Sequence, residues 1–80
     1  MTKIYEAIKN LPDNPDTKVI WVCYNEAMTN SARALISVIK GENYLEQCDI
    51  VSRDKLDPSD GNVRIYYSPD LYDHIGNGSN

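Results

Sequence analysis

The chain has 80 residues and a formal net charge of −4, with 41% hydrophobic and 25% charged residues. This is an ordinary globular composition, and the length suits one domain, which we place at residues 1–76 with a disordered tail at 77–80. No stretch approaches the ~20 apolar residues of a membrane span, and the first residues carry no signal-peptide run. No basic stripe favours direct binding to nucleic acid. Two cysteines, one of them inside an apolar run, indicate a reducing compartment, so we expect a cytoplasmic protein.

The chain opens with a short helix. Thr2 is a suitable N-cap, and apolar residues then recur at helical spacing. These residues are Ile4, Ala7, Ile8 and Leu11. Prolines at positions 12 and 15, with polar residues around them, end this helix and turn the chain.

A buried strand follows at Val19–Tyr24. Its six residues are all apolar and do not alternate with polar ones, whereas a half-buried strand would alternate because successive side chains face opposite sides. Both faces of this strand must therefore be covered, which predicts the central strand of an α/β sheet.

The next helix has clear ends. Asn25 is the expected N-cap, with Thr29 as a competing start, and Gly41 suits the position just past the last turn. One apolar stripe should face the core. It consists of Met28, Ala32, Leu35, Ile36 and Ile39.

The second half of the chain predicts two strands and a helix. The strands are Cys48–Ser52 and Asn62–Tyr67, and a final helix begins at Ser68 and Pro69 and ends at Gly76. The first two strands should be parallel, joined by the long helix. The nine-residue connection to the third strand is short for another crossover, which favours an antiparallel third strand. The predicted fold is therefore α/β, in the order α-β-α-β-β-α, with a three-stranded mixed sheet and helices on both faces.

No catalytic or metal site stands out. Cys23 and Cys48 are most simply core residues, and His74 has no nucleophile near it in sequence. The turn after the first strand lacks glycine and lysine, which excludes a phosphate-binding loop of the usual kind. We expect no enzyme activity, no cofactor and no metal.

The acidic half of the chain is the candidate binding surface. Residues 41–80 carry most of the acidic excess and several of the six tyrosines, whose rings suit interfaces or, equally, fill a core that has no phenylalanine. The candidate protein-binding residues are Asp54, Asp57, Asp60, Tyr66, Asp70, Tyr72 and Asp73. An alternative small-ligand site is the polar turn after the first strand. Its residues are Asn25, Thr29, Asn30 and Ser31.

Two resemblances accompany these residues. The segments Val19–Met28 and Ser31–Leu35 resemble a strand–helix unit of helicase and terminase motor domains, but the chain lacks the phosphate loop and paired acids of those motors, so no activity or residue role follows. In type rather than motif, the short, acidic, tyrosine-rich chain is similar to small bacteriophage accessory proteins. These include anti-CRISPR proteins and inhibitors of host nucleases or polymerases.

These observations favour a non-enzymatic protein-binding module. The resemblance implies a phage-type inhibitor of a host or defence complex, such as a CRISPR, restriction or nuclease system, acting in the host cytoplasm. Its partner would be a protein with a basic surface, bound without direct contact to nucleic acid or membrane. A nucleotide- or small-ligand-binding protein and a structural subunit that oligomerises are the alternatives, and a homodimer is compatible with each.

Overall fold

The computed structural model of the chain describes residues 3–57 and 63–69. The described residues form two α-helices, three strands and two 3-10 helices. In chain order the elements are α1 (Lys3–Lys9), β1 (Lys18–Cys23), α2 (Glu26–Lys40), a 3-10 helix (Glu42–Glu46), β2 (Cys48–Ser52), a 3-10 helix (Arg53–Lys55) and β3 (Val63–Tyr67). The predicted final helix lies, apart from Pro69, outside the described residues, as does the predicted tail.

The three strands form one sheet in the order β2-β1-β3. The prediction that the first strand is central is confirmed. The prediction of a mixed sheet is wrong, because β1 is parallel to both β2 and β3. The chain needs no helix to return from β2 to β3. From the end of β2 to the start of β3 the chain must cross the length of a five-residue strand and two strand spacings, which is about 20 Å. The ten connecting residues reach roughly 33 Å when extended.

The two faces of β1 are both buried, as the unbroken apolar run predicted. Val19, Trp21 and Cys23 face α1 and α2, and Ile20 and Val22 point to the other side. Both described α-helices lie on the Trp21 face, so the predicted helix cover of the second face is not seen among the described residues. The main core cluster joins strand and helix residues. Its buried members are Ile8, Leu11, Val19, Trp21, Cys23, Ala32, Ile36, Tyr44 and Cys48.

The start of α2 is set by Asn25. Its side-chain oxygen accepts a hydrogen bond of 3.0 Å from the backbone N–H of Met28, so the competing start at Thr29 is wrong. The helix stops at Gly41, whose φ of 96° lies in a region that favours glycine. Most of the predicted stripe faces the core. Leu35 is the exception, since 41% of its surface is exposed at the edge of the stripe.

Three side chains hold the loop between α1 and β1. Lys40 donates to the backbone oxygen of Lys9 and pairs with the Asp13 carboxylate. The Tyr44 hydroxyl donates to the backbone oxygen of Pro12. The Gln47 amide donates to the backbone oxygens of residues 14 and 17, at 2.7 and 2.9 Å. The loop that the sequence marked only as a turn is therefore fixed to the end of α2 and the 3-10 helix after it.

Candidate functional site

The described part of the acidic patch lies just after β2. Asp54 and Asp57 are both exposed. The Ser52 hydroxyl donates to Asp54 at 2.6 Å, and this hydrogen bond, with the backbone N–H of Asp54 and then the charges of Lys55 and Arg53, lowers the pKa of Asp54 below its ordinary value. Asp54 is therefore charged at neutral pH. The predicted residues Asp60, Asp70, Tyr72 and Asp73 lie outside the described residues.

Tyr66 is not beside Asp57. It is half-buried against the core cluster, on the face of the sheet that α1 and α2 cover. Asp57 lines a shallow depression with Ile20 and Val51, which belong to the opposite face. The two residues therefore lie on different sides of the sheet, and Tyr66 serves mainly as a packing residue.

The polar turn after β1 is largely engaged in local hydrogen bonds. Asn25 caps α2, and the buried Thr29 hydroxyl donates to the backbone oxygen of Glu26 at 2.6 Å. Asn30 accepts a hydrogen bond of 3.2 Å from Arg33 one turn later. Ser31 differs from these residues, because it is exposed and lines a pocket described below. The turn mainly performs helix-capping chemistry.

The outward side of α2 carries a second apolar stripe, which we call the outer stripe. Its members follow the spacing i, i+4, i+7, i+8 and i+11, all are exposed, and none is charged. They are Ala27, Ser31, Ala34, Leu35 and Val38. Val38 is 82% exposed, the highest value among the large apolar side chains described. Leu35, at the border with the core-facing stripe, is more than half covered, so the exposed apolar surface centres on Val38.

A pocket of about 180 Å³ adjoins the outer stripe. Its walls come from α1, α2 and the carboxyl ends of β1 and β3, and its lining is mostly apolar. The lining residues are Ile4, Trp21, Cys23, Met28, Ser31, Ala32, Leu35 and Ser68. Ser31 and Leu35 belong to both features, so the pocket opens beside the outer stripe.

The sequence contained a signal for the outer stripe but not for the pocket. Val38 is a large apolar residue on α2 that lies outside the predicted core-facing stripe. Because it does not face the core, its side chain is expected to be exposed. The pocket requires Cys23 and Ser68 to lie at the same edge of the sheet, which follows only when β3 is parallel to β1. The antiparallel prediction therefore hid it.

The two cysteines occupy packing positions. Both are buried thiols in strands, at the end of β1 and the start of β2. Burial, the charge of Asp49 and the proximity of Cys23 raise the pKa of the Cys48 thiol to about 12. A thiol with this pKa is a poor nucleophile at neutral pH. Within residues 3–57 and 63–69 no three histidine, cysteine, aspartate or glutamate side chains cluster as metal ligands, and His74 lies outside these ranges.

The raised pKa of Cys48 predicts a loss of stability in alkali. The unfolded thiol ionises near pH 9, whereas the folded thiol keeps its proton until about pH 12. Stability is therefore full below pH 9 and falls as the pH rises from 9 towards 12, by about 1 kcal/mol at pH 10. Urea unfolding of the wild type and of Cys48→Ala at pH 7 and pH 10 measures this. Between pH 7 and pH 10 the free energy of unfolding of the variant should fall by about 1 kcal/mol less than that of the wild type. Equal losses would contradict the raised pKa of Cys48.

Comparison with protein-family models, with curated proteins and with solved structures found no match to this chain. The described helices include none with the length and apolar character needed to cross a membrane.

Proposed function

We propose that this chain is a non-enzymatic protein-binding module and that the outer stripe of α2 is the centre of its docking surface. The single observation that carries the proposal is the exposure of an uncharged apolar stripe that the core does not use. Val38 and Leu35 are the large side chains on it. An uncharged apolar strip along one side of a helix suits the apolar centre of a protein-interaction site.

The arrangement of α2 supports a dedicated surface. The core-facing stripe and the outer stripe meet at Leu35, so the apolar side of the helix is wider than packing against the sheet requires. Charged and polar residues, including Glu26, Asn30 and Arg33, occupy the remaining side. The helix therefore has one side for the sheet, one for water and one for a partner.

The outer stripe is too small to be the whole interface. The twelve residues from Ala27 to Val38 are about 18 Å of helix, which at a helix width of ~10 Å covers roughly 180 Å². A stable complex buries about 800 Å² on each partner. The docking surface must therefore extend across the pocket to α1, where Tyr5 is also partly exposed. An apolar centre with a polar rim is the usual anatomy of such an interface.

The exposed acidic residues after β2 lie apart from this surface and suit a longer-range steering role. Asp54 is linked through the Ser52 hydroxyl to Glu26, which lies 3.3 Å from that hydroxyl at the first turn of α2. Glu26 pairs with Lys55, and Asp54 and Asp57 are exposed carboxylates in a chain with a net charge of −4. Net negative charge raises the association rate with a basic partner surface. The expectation that the partner belongs to a host or defence complex rests on the resemblance to phage accessory proteins and stays a prediction.

The test compares two glutamate substitutions on the same helix. Val38→Glu puts a charge in the outer stripe, and Asn30→Glu puts the same charge on the water-facing side. Each tagged protein is used to capture partners from bacterial lysate, and captured proteins are identified by mass spectrometry. The partner should bind the wild type and Asn30→Glu, and Val38→Glu should weaken it by about 30-fold or more, because an unpaired charge would be buried at the centre of the interface.

Binding kinetics with the purified partner complete the test. The double variant Asp54→Lys and Asp57→Lys should slow association and flatten its salt dependence, with little change in dissociation. Sedimentation of the chain alone shows whether a second copy occupies the stripe. Equal binding by Val38→Glu and Asn30→Glu would refute the outer stripe as the docking surface.

A further inference from the structure

We infer that the partner of the outer stripe contributes an amphipathic α-helix that lies along α2, with one large apolar side chain in the adjoining pocket and another over Val38. This inference rests on the proposed function, because it names the part of the partner that the proposed docking surface receives. Three observations carry it. They are the spacing of features along α2, the engaged backbone of that helix, and the volume and lining of the pocket.

The docking features lie in a line with helical spacing. Ser31 is exposed and lines the pocket, so it lies at the pocket rim, and Val38 follows seven residues later. Seven residues are two helical turns, about 10.5 Å along the axis. Leu35 lies between them and also lines the pocket. A second helix packed nearly along α2 repeats its side chains at the same distances, so apolar residues at its positions i, i+4 and i+7 reach all three places together.

The surface along α2 favours a helix over an extended segment. Within α2 the backbone N–H and C=O groups bond to one another, so the outer stripe presents side chains rather than the hydrogen-bonding groups of a strand edge. An extended partner segment would lie there with its own backbone groups buried and unpaired, whereas a helix satisfies them internally. Recognition of an amphipathic helix through anchors at i, i+4 and i+7 is an established mode of protein binding.

The pocket is suited to one apolar anchor. An apolar cavity of about 150 Å³ in another protein is large enough for benzene, so about 180 Å³ accommodates the side chain of phenylalanine or leucine. Met28, Ala32 and Leu35 contribute apolar wall, and no charged residue is among the described lining residues. A charged anchor would lose its hydration there without a compensating charge. A large apolar side chain in such a pocket is a typical energetic centre of an interface.

The opposite side of the partner helix is expected to be basic. The chain carries a net charge of −4, and a partner of opposite charge associates faster with it. The helix that fits this surface is therefore apolar along one side, with its anchors two turns apart, and rich in lysine or arginine on the other.

Two synthetic peptides test the inference with the intact chain. The first is an alanine- and lysine-based helix of about 18 residues with phenylalanine, leucine and leucine at i, i+4 and i+7. The second has the same composition, but its three apolar residues share no face of the helix. In ¹H–¹⁵N correlation spectra the first peptide should cause saturable shifts along residues 31–38, and its own helicity by circular dichroism should rise on binding. The second should bind about tenfold or more weakly.

Double-mutant cycles then assign the contacts. Ser31→Leu narrows the pocket and should weaken the first peptide about tenfold, but it should have little effect on a peptide whose phenylalanine is already alanine. Val38→Ala should couple in the same way to the last leucine, and the crossed combinations should be additive. Asn30→Ala, on the water-facing side, should leave the affinity unchanged. All three positions are exposed, so the spectra of the variants should show a folded chain.

Equal binding of the two peptides, shifts along residues 31–38 that never saturate, or additive effects in both cycles would each overturn the helical partner. The lysate capture with Val38→Glu separates this result from a failure of the proposed function. A captured partner that depends on Val38, together with a first peptide that does not bind, would refute the helix and leave the protein-binding function standing.

Discussion

Replacing Trp21 by alanine should destabilise the domain by about 3–5 kcal/mol, as large-to-small changes of buried aromatic residues do. Trp21 lies in the central strand and packs in the main core cluster. Small domains have total stabilities of roughly 5–15 kcal/mol, so this loss would leave a large part of the population unfolded at moderate denaturant concentrations. Chemical denaturation followed by circular dichroism measures the change.

Two further substitutions sharpen this prediction. Trp21→Phe keeps an aromatic ring and removes an indole N–H that finds no acceptor among the described residues, so it should cost clearly less than Trp21→Ala. Val38→Ala, at a highly exposed position, should stay within ~0.5 kcal/mol of the wild type. A change of less than ~1 kcal/mol for Trp21→Ala would contradict its place at the centre of the core.

The second large effect is expected at Tyr44. Its ring belongs to the main core cluster, and the Lys40 ammonium lies 5.5 Å from the ring centroid. Its hydroxyl donates to the backbone of Pro12 in the loop before β1. Tyr44→Ala should therefore destabilise the domain by about 3–5 kcal/mol, whereas Tyr44→Phe, which removes only the hydroxyl, should cost about 1 kcal/mol.

Hydrogen exchange separates the two roles of Tyr44. The amide of Thr17 donates to the backbone oxygen of Asn14 within the held loop. In Tyr44→Phe this amide should exchange faster, while amides of the central strand keep most of their protection, because the loop loses one anchor and the core keeps its ring. If Tyr44→Phe were as unstable as Tyr44→Ala, the hydroxyl rather than the ring would be the main contribution.

The elements of the fold were predictable where local chemistry decides them. The apolar run of β1 and the Asn25 cap of α2 were both found as predicted, because each is decided by residues that are neighbours in sequence. The direction of β3 depends on whether the ten residues after β2 can reach back across the sheet. No pattern of residue types in the connection shows which direction the chain takes. A length rule for helical crossovers therefore gave the wrong orientation, since this connection contains only a short 3-10 helix among its described residues.

The binding surface was less predictable than the fold. Charge is visible in the sequence, which is why Asp54 and Asp57 were identified as exposed residues. Tyr66 could not be assigned from sequence, because a tyrosine suits an interface and a core equally well, and the register of β3 decides which one applies. The pocket depends on contacts among distant segments, from Ile4 to Ser68, and such contacts exist only after the strands have paired.

The strand order also has a consequence for how the chain assembles. Val19 pairs with Cys48, but the opposite edge of the same strand pairs much further along the chain, Lys18 with Val63. Shorter loops close at a lower entropy cost, so β1, α2 and β2 should come together before β3 docks. During that interval β1 is an apolar strand with an unpaired edge, a known template for association between chains. Docking of β3 closes this edge, so it ends the period in which β1 can pair with another chain.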